Sequence, residues 1–374
     1  MNVLILADYR TPKSGNFIAS ILELGLTMRK SGNNVVYLFP ENNQGGYTWS
    51  HWIQQNKFEV MLFNEKQSDE LKLQQIKQIV EEYQIDIIHS HFGYLNRFLL
   101  TKHRQIGKQV KLVFHDHMDF SEVGNLRKQK LSVMKYALLY RIFDAYVISV
   151  MQKKDKAYWL AGKKRHRFVA NGLSLQRAEQ DTRTREELRT EIGVSSNEKL
   201  ALFLGWDLHR KGLDVALKGI AKYRDDAPNL KLGVIGAGRG KPSERTELFL
   251  KESGCNPNED WIIYLNDYED IFALNRAVDV YISASRAEAF SYGILESISQ
   301  NNPVVVSDIE GTSWSKEYNK CVMFINEDAD DCAVALKKAV AMGKSESNYK
   351  MIVRKYGNDV WCKKIIGIYE EIMK

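Results

Sequence analysis

The sequence predicts an α/β protein built from two doubly wound parallel sheets. Short apolar runs of strand length alternate with longer amphipathic segments in both halves of the chain. Strands and helices that alternate in this way form parallel βαβ units. The halves are separated by a polar stretch, SLQRAEQDTRTREE, and 374 residues suffice for two domains of ordinary size.

The first half begins with a strand and continues in regular alternation. Its first helix covers 17–30 and ends at a Ser-Gly-Asn turn, and a helix with a polar face covers 69–83. Apolar, β-branched runs predict the strands, at 3–7, 34–39, 59–63, 86–89, 110–115, 145–150 and 167–170.

The second half repeats the pattern and sets the domain boundaries. Its predicted strands, with helices between them, cover 200–204, 230–235, 261–265, 278–283, 304–307 and 322–325. The expected organisation is an N-terminal domain, a linker, a C-terminal domain and a final helix, at 1–172, 173–187, 188–348 and 349–374.

Composition indicates a soluble globular protein in a reducing compartment. Hydrophobic residues make up 44% and charged residues 27% of the chain, and no apolar run is long enough to span a bilayer. The apolar run at the N-terminus, MNVLILADYR, is short because it ends at Asp8. It is therefore interpreted as a core strand rather than a signal peptide. Four widely spaced cysteines form no Cys-x-x-Cys pair, which indicates free thiols and a cytoplasmic location.

Positive charge is concentrated in one segment. Between 125 and 167 there are twelve Lys or Arg residues against two Asp, whereas the whole chain carries only +6. The predicted helix 126–143 interleaves these cations with apolar residues, which suits an anionic membrane surface at the inner face of the cell membrane. A core helix with a charged edge is the alternative. No nucleic-acid-binding motif is present, so we expect no nucleic-acid partner.

The stretch 286–308, RAEAFSYGILESISQNNPVVVSD, has the pattern of a binding site. A strand ends in a turn that holds Glu288, a helix follows, and Pro303 precedes the next strand. The first amides of such a helix are unpaired and lie at the positive end of its dipole, where phosphate binds. Glu296, about two turns into the helix, can accept hydrogen bonds from sugar hydroxyls, and Glu288 lies nearer the bound group.

The spacing Glu-x-Phe-Ser-x-Gly-x-x-Glu resembles the E-x7-E motif of retaining glycosyltransferases of family 4. The resemblance implies the GT-B fold, in which two Rossmann-like domains face a central cleft and the C-terminal helix crosses back to the first domain. It also implies that the turn and helix start bind the donor, through Phe290, Ser291, Tyr292 and Gly293. Two incidental acids on a buried helix are the alternative.

The segment GWDLHRKGLD is similar to Gly-Arg-x-x-x-x-Lys-Gly-x-Asp of that family, whose Arg and Lys clamp the donor diphosphate. Lys211, together with Gly212 and Asp214, matches. Trp206 stands at the position of the family's Arg, so the second charge is expected from Arg210, His209 or Arg239. A solvated lysine at a helix start is the alternative for Lys211.

Two glycine turns are further candidates. The run 236–240, Gly-Ala-Gly-Arg-Gly, lies too late in the chain and has the wrong spacing for a dinucleotide site, so Gly238 is interpreted as part of a turn beside the donor. Gly15, between Ser14 and Asn16, can approach a phosphate or acceptor closely, or it belongs to an ordinary helix cap.

Histidines follow two of the predicted strands. The family often places a His after the strand 110–114, touching the donor sugar and the reacting centre, and His115 is the match; Asp116 is a weaker candidate for acceptor contact. His89 and His91 are interpreted as core histidines. Neighbours on a strand point to opposite faces, so His115, Asp116 and His117 predict no metal site.

Two more segments complete the expected site. Asn171-Gly172 is interpreted as a structural turn at the cleft floor, and the loop 266–268 is expected near the nucleotide base.

Together these features predict a retaining transferase that moves a sugar from a nucleotide-diphosphate donor, expected to be UDP-linked, to a hydroxyl of a glycan or lipid-linked acceptor in surface polysaccharide biosynthesis. Neither a metal nor another cofactor is expected. A non-catalytic GT-B subunit that binds a partner or membrane is the alternative. Trp206 supports this alternative because it stands at the position of the family's Arg. A dinucleotide oxidoreductase is disfavoured because no G-x-G-x-x-G follows the first strand.

Overall fold

The computed structural model divides the chain into two compact units. The first comprises Met1–Ser174 and Asn358–Lys374, and the second comprises Leu175–Gly357. The residues that the structure describes are 1–11, 15–41, 46–64, 66–92, 99, 102–107, 109–117, 142–149, 165–175, 182–265, 271–344 and 347–374.

The described strands of the first unit form one parallel sheet of seven strands, in the order β3-β2-β1-β4-β5-β6-β7. They are β1 Asn2–Ala7, β2 Asn34–Pro40, β3 Val60–Phe63, β4 Ile87–His91, β5 Lys111–Asp116, β6 Ala145–Ile148 and β7 His166–Phe168. Helices of this unit whose bounds lie in the described ranges include α1 Asn16–Lys30, α2 Ser50–Gln55, α3 Asp69–Glu82 and, at the C-terminus, α12 Asn358–Met373.

The second unit has a parallel sheet of six strands, in the order β10-β9-β8-β11-β12-β13. The strands are β8 Lys199–Leu204, β9 Leu230–Ile235, β10 Ile262–Tyr264, β11 Val280–Ser283, β12 Val304–Ser307 and β13 Cys321–Phe324. The helices are α4 Arg185–Glu191, α5 Leu208–Lys211, α6 Leu213–Arg224, α7 Glu244–Glu252, α8 Ile271–Ala277, α9 Tyr292–Ser299, a 3-10 helix Glu310–Glu317, α10 Ala329–Met342 and α11 Ser347–Tyr356.

Both sheets have a point where the strand order reverses. In the first unit β1 lies between β2 and β4, and in the second β8 lies between β9 and β11. Loops that leave the carboxyl ends of strands on either side of such a point diverge and leave a crevice, where ligands of open α/β sheets bind. The central strands are buried on both faces, which explains their near-continuous apolar sequences.

The C-terminal segment differs from the single helix predicted over 349–374. The structure has two helices, α11 and α12, which meet at Gly357, and only α12 belongs to the first unit. Tyr356, the last residue of α11, packs in an aromatic group of the second unit with Trp314 and Phe290. Asn358 at the start of α12 instead donates its backbone amide to Leu173 O at 3.1 Å. Aromatic packing therefore decides where the crossover back to the first unit begins.

The predicted linker 173–187 is shorter than expected at its C-terminal end. Thr184 forms a capping box with Glu187 and starts α4 at Arg185. Residues 176–181 lie outside the described ranges, as do 126–141 of the predicted basic helix. Among the residues that the structure does describe, no helix has both the length and the apolar character needed to cross a membrane.

Candidate active site

The candidate site of the second unit is built at the carboxyl ends of β9, β8 and β11, three neighbouring strands. The loop after β8 leads into α5, the loop after β9 holds the glycine turn, and the loop after β11 holds Glu288. Because all three strands run parallel, these loops emerge at one edge of the sheet, on both sides of the point where the strand order reverses. Residues far apart in sequence therefore meet here.

Lys211 and Glu288 form an ion pair in this site. Lys211 lies at the end of the single turn α5, whose start is capped by the Asp207 carboxylate accepting from Arg210 N at 3.1 Å. Lys211 Nζ donates to Glu288 Oε2, and both side chains are largely buried. The two residues are 77 positions apart, and a cation and a carboxylate that the sequence predicted for one site are in direct contact.

Gly212 permits the close approach of the loop that carries Glu288. It joins α5 to α6 with φ of +71°, a conformation that favours glycine. A Cβ atom at this position would lie 2.0 Å from the carbonyl oxygen of Ala284. The glycine is thus required both by the backbone conformation and by the neighbouring loop.

Arg286 holds the two loops together. Its guanidinium donates to both carboxylate oxygens of Asp214, at 2.9 and 2.8 Å, and to Glu327 at 2.8 Å. Its backbone amide donates to Arg210 O at 2.8 Å. Burial alone would raise the pKa of Asp214, but the hydrogen bonds and charge of Arg286 outweigh burial, and the pKa lies below its usual value. The same contacts raise the pKa of Arg286. The pair is charged and fixes the position of Glu288 relative to Lys211.

We expect Arg286→Leu to lower the free energy of unfolding by about 2–3 kcal/mol, because it leaves the buried Asp214 carboxylate without its bidentate partner. Urea unfolding of the single variants and of Arg286→Leu/Asp214→Leu completes a double-mutant cycle. The double variant should recover part of the loss. Losses that simply add would contradict direct coupling between these side chains.

The helix α9 follows this loop directly. Ser291 caps it and accepts from Ile294 N at 3.4 Å, and Glu296 lies buried in its second turn. Burial raises the pKa of Tyr281, and the charges of Glu288 and Glu296 raise it further, so the tyrosine hydroxyl lies near both carboxylates. A Cβ at Gly293 would lie 2.3 Å from that hydroxyl. The first turn of α9 and the two glutamates of the motif are therefore close together.

Phe290 is placed differently from the expectation. Its ring is buried and stacks on Trp314, with centroids 4.5 Å apart and an interplanar angle of 12°. Tyr356 packs beside them at 5.9 Å from Phe290. The ring therefore serves the core of the second unit, and a predicted contact of Phe290 with the donor is limited to its backbone.

The glycine turn after β9 is a tight hairpin next to Trp206. Gly238 pairs with Pro242, and a Cβ on Gly238 would lie 2.1 Å from Lys241 O. Gly236, with φ of +90°, packs against Gly205 and against the Trp206 ring, and 58% of Trp206 is exposed. Gly238 is therefore required by the close packing of the hairpin. The exposed Trp206 ring presents an aromatic surface at the site.

The three predicted sources of a second cation are placed differently. Arg210 donates from Nη1 to Ala287 O at 3.3 Å, beside Glu288. His209 is exposed and its ring lies 6.5 Å from Phe249 of α7, and Arg239 is exposed on the hairpin. Of the three side chains, that of Arg210 contacts the loop of Glu288. His209 contacts the same loop through its backbone oxygen, which accepts from Arg286 Nη1 at 2.6 Å.

In the first unit, Gly15 is the residue before α1 and caps it without a side-chain hydrogen bond. A Cβ at Gly15 would lie 3.0 Å from the Tyr9 hydroxyl, so the loop is tight. The next residue, Asn16, donates to Gly172 O at 2.5 Å and accepts from Ser174 N at 2.9 Å. The predicted Asn171-Gly172 turn is thus tied to the start of α1. Ser14 lies outside the described residues, as does the loop 266–268.

Four histidines meet at the carboxyl ends of β4 and β5. Alternation along β5 turns Asp116 away, where it accepts from the Tyr146 hydroxyl at 2.5 Å, but it puts His115 and His117 on one face. The register pairs His91 with His115, so His89 and His91 lie on the same face.

His89, His91 and His115 are buried and His117 is half-buried. Desolvation is the first cause of the lowered pKa values of all four. The pKa falls to about 3 for His89 and about 4 for His117, and well below the usual range for His91 and His115. His115 has no exposed surface. The predicted contact of His115 with a donor sugar would therefore need a rearrangement of this cluster.

Sequence reasoning missed three residues that shape the site. Arg286, Tyr281 and Gly311 contact the motif residues, but each comes from a strand end or loop whose neighbours are distant in sequence. A Cβ at Gly311 would lie 1.6 Å from Glu288 O, so only glycine lets the start of the 3-10 helix Glu310–Glu317 pass Glu288. Of these three residues, Gly311 had a sequence signal, because a glycine directly follows Asp308-Ile-Glu.

Residues 184–356 match the family described as glycosyl transferases group 1. The alpha-monoglucosyldiacylglycerol synthase of Streptococcus pneumoniae is 22% identical over 82% of this chain and 70% of that protein. The O-antigen biosynthesis glycosyltransferase WclY of Escherichia coli is 24% identical over 68% of this chain and 73% of that protein.

A solved structure, Alr3699/HepE of Anabaena in complex with UDP and glucose, superposes with a TM-score of 0.77 at 16% identity. The match covers 99% of this chain and 100% of that one. Since the identity is low, this likeness establishes the fold, and it agrees with the two parallel sheets described above. The chain has the two-domain α/β GT-B fold, and its residues 184–356 match the group 1 glycosyltransferases.

Proposed function

We propose that the protein is a retaining glycosyltransferase that moves a hexosyl group from a UDP-sugar to a hydroxyl of a glycan or lipid-linked acceptor in surface polysaccharide biosynthesis. The observation that carries the proposal is the contact between Lys211 and Glu288 beside the start of α9. This places a cation, two carboxylates and a helix N-terminus at one crevice of the sheet.

Lys211 and the first amides of α9 are proposed to bind the donor diphosphate and stabilise it as it leaves. Cationic and dipolar groups of this kind can neutralise the departing phosphate, so the transfer itself is proposed to need no metal. Before the donor binds, Glu288 holds Lys211 in place. A phosphate that binds Lys211 competes with that contact and leaves Glu288 to accept hydrogen bonds from the donor sugar.

Glu296 is proposed to accept hydrogen bonds from hydroxyls of the nucleotide sugar. It lies in the second turn of α9, on the helix whose first turn approaches the Tyr281 hydroxyl. Carboxylates that accept hydrogen bonds from adjacent hydroxyls give orientation as well as affinity. Ser291, Tyr292 and Gly293 contribute through the backbone of the helix start.

Arg210 is proposed to supply the second cation in place of the Arg that Trp206 replaces. It lies one residue from Lys211 and contacts the carbonyl before Glu288. The exposed Trp206 ring adds a flat apolar surface beside it. We expect Arg210→Met to weaken donor binding about tenfold or more, as the loss of a charge-assisted contact should. Arg239→Met, on the exposed hairpin, is the matched control and should bind normally; equal losses would contradict the role of Arg210.

The donor and acceptor classes rest on what the similar proteins are named for. A solved neighbour was crystallised with UDP and glucose, and two relatives are named for glycolipid and O-antigen synthesis. The basic segment 125–167 supports an anionic or membrane-bound acceptor, and with it a peripheral location at the inner face of the cell membrane.

A ligand screen by thermal shift and calorimetry tests the donor class. UDP or a UDP-sugar at a hundred times its Kd should stabilise the protein by about 2.7 kcal/mol, whereas NAD and ADP should not. The stabilisation should be lost in Glu296→Ala. Proton NMR of the product then reports whether the anomeric configuration of the donor is kept. An inverted product would contradict the retaining mechanism, and no response to any nucleotide would favour a non-catalytic subunit.

A further inference from the structure

The histidine cluster of the first unit lies outside the Lys211–Glu288 site, and it has an unusual composition. His89 and His91 from β4 and His115 and His117 from β5 account for four of the eight histidines in the chain. His89, His91 and His115 have no exposed surface. One ring nitrogen of each of these three lies within 4.8 Å of the others.

The ring nitrogens of the cluster divide into partnered and unpartnered sets. His89 Nδ1 is 2.6 Å from the Tyr369 hydroxyl, and His91 Nδ1 is 3.0 Å from His117 Nε2. The second nitrogens, His89 Nε2 and His91 Nε2, have no hydrogen-bond partner, and neither has either nitrogen of His115. Four buried nitrogens without partners are therefore gathered in one place.

Four buried nitrogens without partners destabilise the folded state unless they bind a ligand. A buried polar atom without a hydrogen bond costs about 1–3 kcal/mol, and native proteins leave few of them. A simple core would fill these positions with apolar side chains at no such cost. Three buried imidazoles that bring ring nitrogens within 4.8 Å of one another, and that carry nitrogens without hydrogen-bond partners, have the composition of a transition-metal site.

We propose that His89, His91 and His115 bind a transition-metal ion, with Zn²⁺ as the first candidate. Imidazole suits Zn²⁺, Cu²⁺, Fe²⁺ and Ni²⁺, whereas Mg²⁺ and Ca²⁺ prefer oxygen ligands. The ligands are Nε2 of His89, Nε2 of His91 and one nitrogen of His115. No other group of this kind was found among the described residues.

The surroundings have the features of a metal site. At Zn–N distances of about 2.0–2.1 Å, tetrahedral ligand atoms lie about 3.3 Å apart. An ion would therefore draw together three nitrogens that now lie within 4.8 Å of one another. Tyr369 and His117 hold the other ring nitrogens of His89 and His91, as outer contacts orient metal ligands. Phe17 packs on His91 and His117 with centroids at 5.1 and 5.5 Å and contributes an apolar wall.

We assign the ion a structural role rather than a catalytic one. It would tie β4 to β5 and, through Tyr369, to the C-terminal helix α12, which returns to this unit from the other end of the chain. Three protein ligands leave the fourth position to water or another small ligand. The site belongs to the first unit and uses neither Lys211 nor Glu288. Metal binding can therefore be tested separately from the proposed transferase reaction.

The test uses the full chain, purified on an affinity tag without histidines. After exposure to Zn²⁺ and dialysis, elemental analysis should find about one ion per chain, and Co²⁺ should give the visible absorption of a nitrogen-ligated tetrahedral site. His89→Asn and His115→Asn should each lose the ion. His166→Asn, a buried histidine of β7 outside the cluster, should retain it.

Folding of each variant is checked by circular dichroism, and a measurement on the unmodified protein covers the case in which a variant does not fold. Zn²⁺ should raise the melting temperature of the metal-depleted wild type, because the ion binds the folded state. No bound Zn²⁺ or Co²⁺ in the wild type, or retention of the ion by the His89 and His115 variants, would overturn the proposal. A thiolate-to-cobalt charge-transfer band would also overturn it, since it would place the ion at a cysteine.

Discussion

Replacing Lys211 by methionine is expected to lower kcat for sugar transfer by about 10²–10³-fold, the usual effect of removing one group that stabilises developing charge. The Lys211 ammonium is held by Glu288 at the crevice where the diphosphate is proposed to bind. Methionine keeps the length and the apolar stem but removes the charge. Steady-state kinetics with the donor identified by the ligand screen measures the effect, and KM should change less than kcat.

The matched control is Lys218→Met, which removes an exposed lysine from α6, the helix that follows. It should retain wild-type kcat. Glu288→Gln should also lower kcat, and the double variant should be about as slow as the slower single variant, because groups that act as a unit do not add. Wild-type turnover in Lys211→Met would refute the role given to this residue.

Gly212→Ala is expected to lower the free energy of unfolding by about 3 kcal/mol or more and to abolish transfer. Two effects combine. The φ of +71° is strained for alanine, and the new methyl group would lie 2.0 Å from Ala284 O. Relief of that collision must move either the turn that holds Lys211 or the loop that leads to Glu288. Urea unfolding and kcat measure the two consequences.

Gly193→Ala separates these effects. Gly193 follows α4 with nearly the same φ, +72°, but nothing lies within 4 Å of an added Cβ. It should lose only the backbone contribution, about 1 kcal/mol, and keep full activity. The difference between the two variants therefore measures the collision with Ala284. Equal destabilisation would mean that the loop after β11 moves away without cost.

Much of the second unit could be predicted from local patterns. The strand predicted over 200–204 is observed as Lys199–Leu204, and the strand predicted over 278–283 as Val280–Ser283. Buried parallel strands are continuous apolar runs, and the capping residue Ser291 marks the start of α9. By contrast, the short helix Ser50–Gln55 was not predicted, because a helix of six residues carries too little periodicity.

The ring of Phe290 shows the limit of motif reasoning at the site. Its place inside Glu-x-Phe-Ser predicted a donor contact, but the ring is stacked on Trp314. A motif gives residue types and spacing, whereas the direction of a side chain depends on the neighbours it packs against. Arg286 was missed for the related reason that its partner Asp214 lies 72 residues earlier.

The sequence by itself determined the order of the strands and of the longer helices along the chain outside the C-terminal segment, the two-domain α/β class and the two glutamates that flank the start of α9. These follow from apolar periodicity, caps and spacing, which act over a few residues. The tertiary structure alone decided that Lys211 meets Glu288 and that the register of β4 on β5 brings the histidines of both strands to one face. Strand neighbours and register depend on how each crossover returns to the sheet. The contacts they create join residues that no local pattern relates.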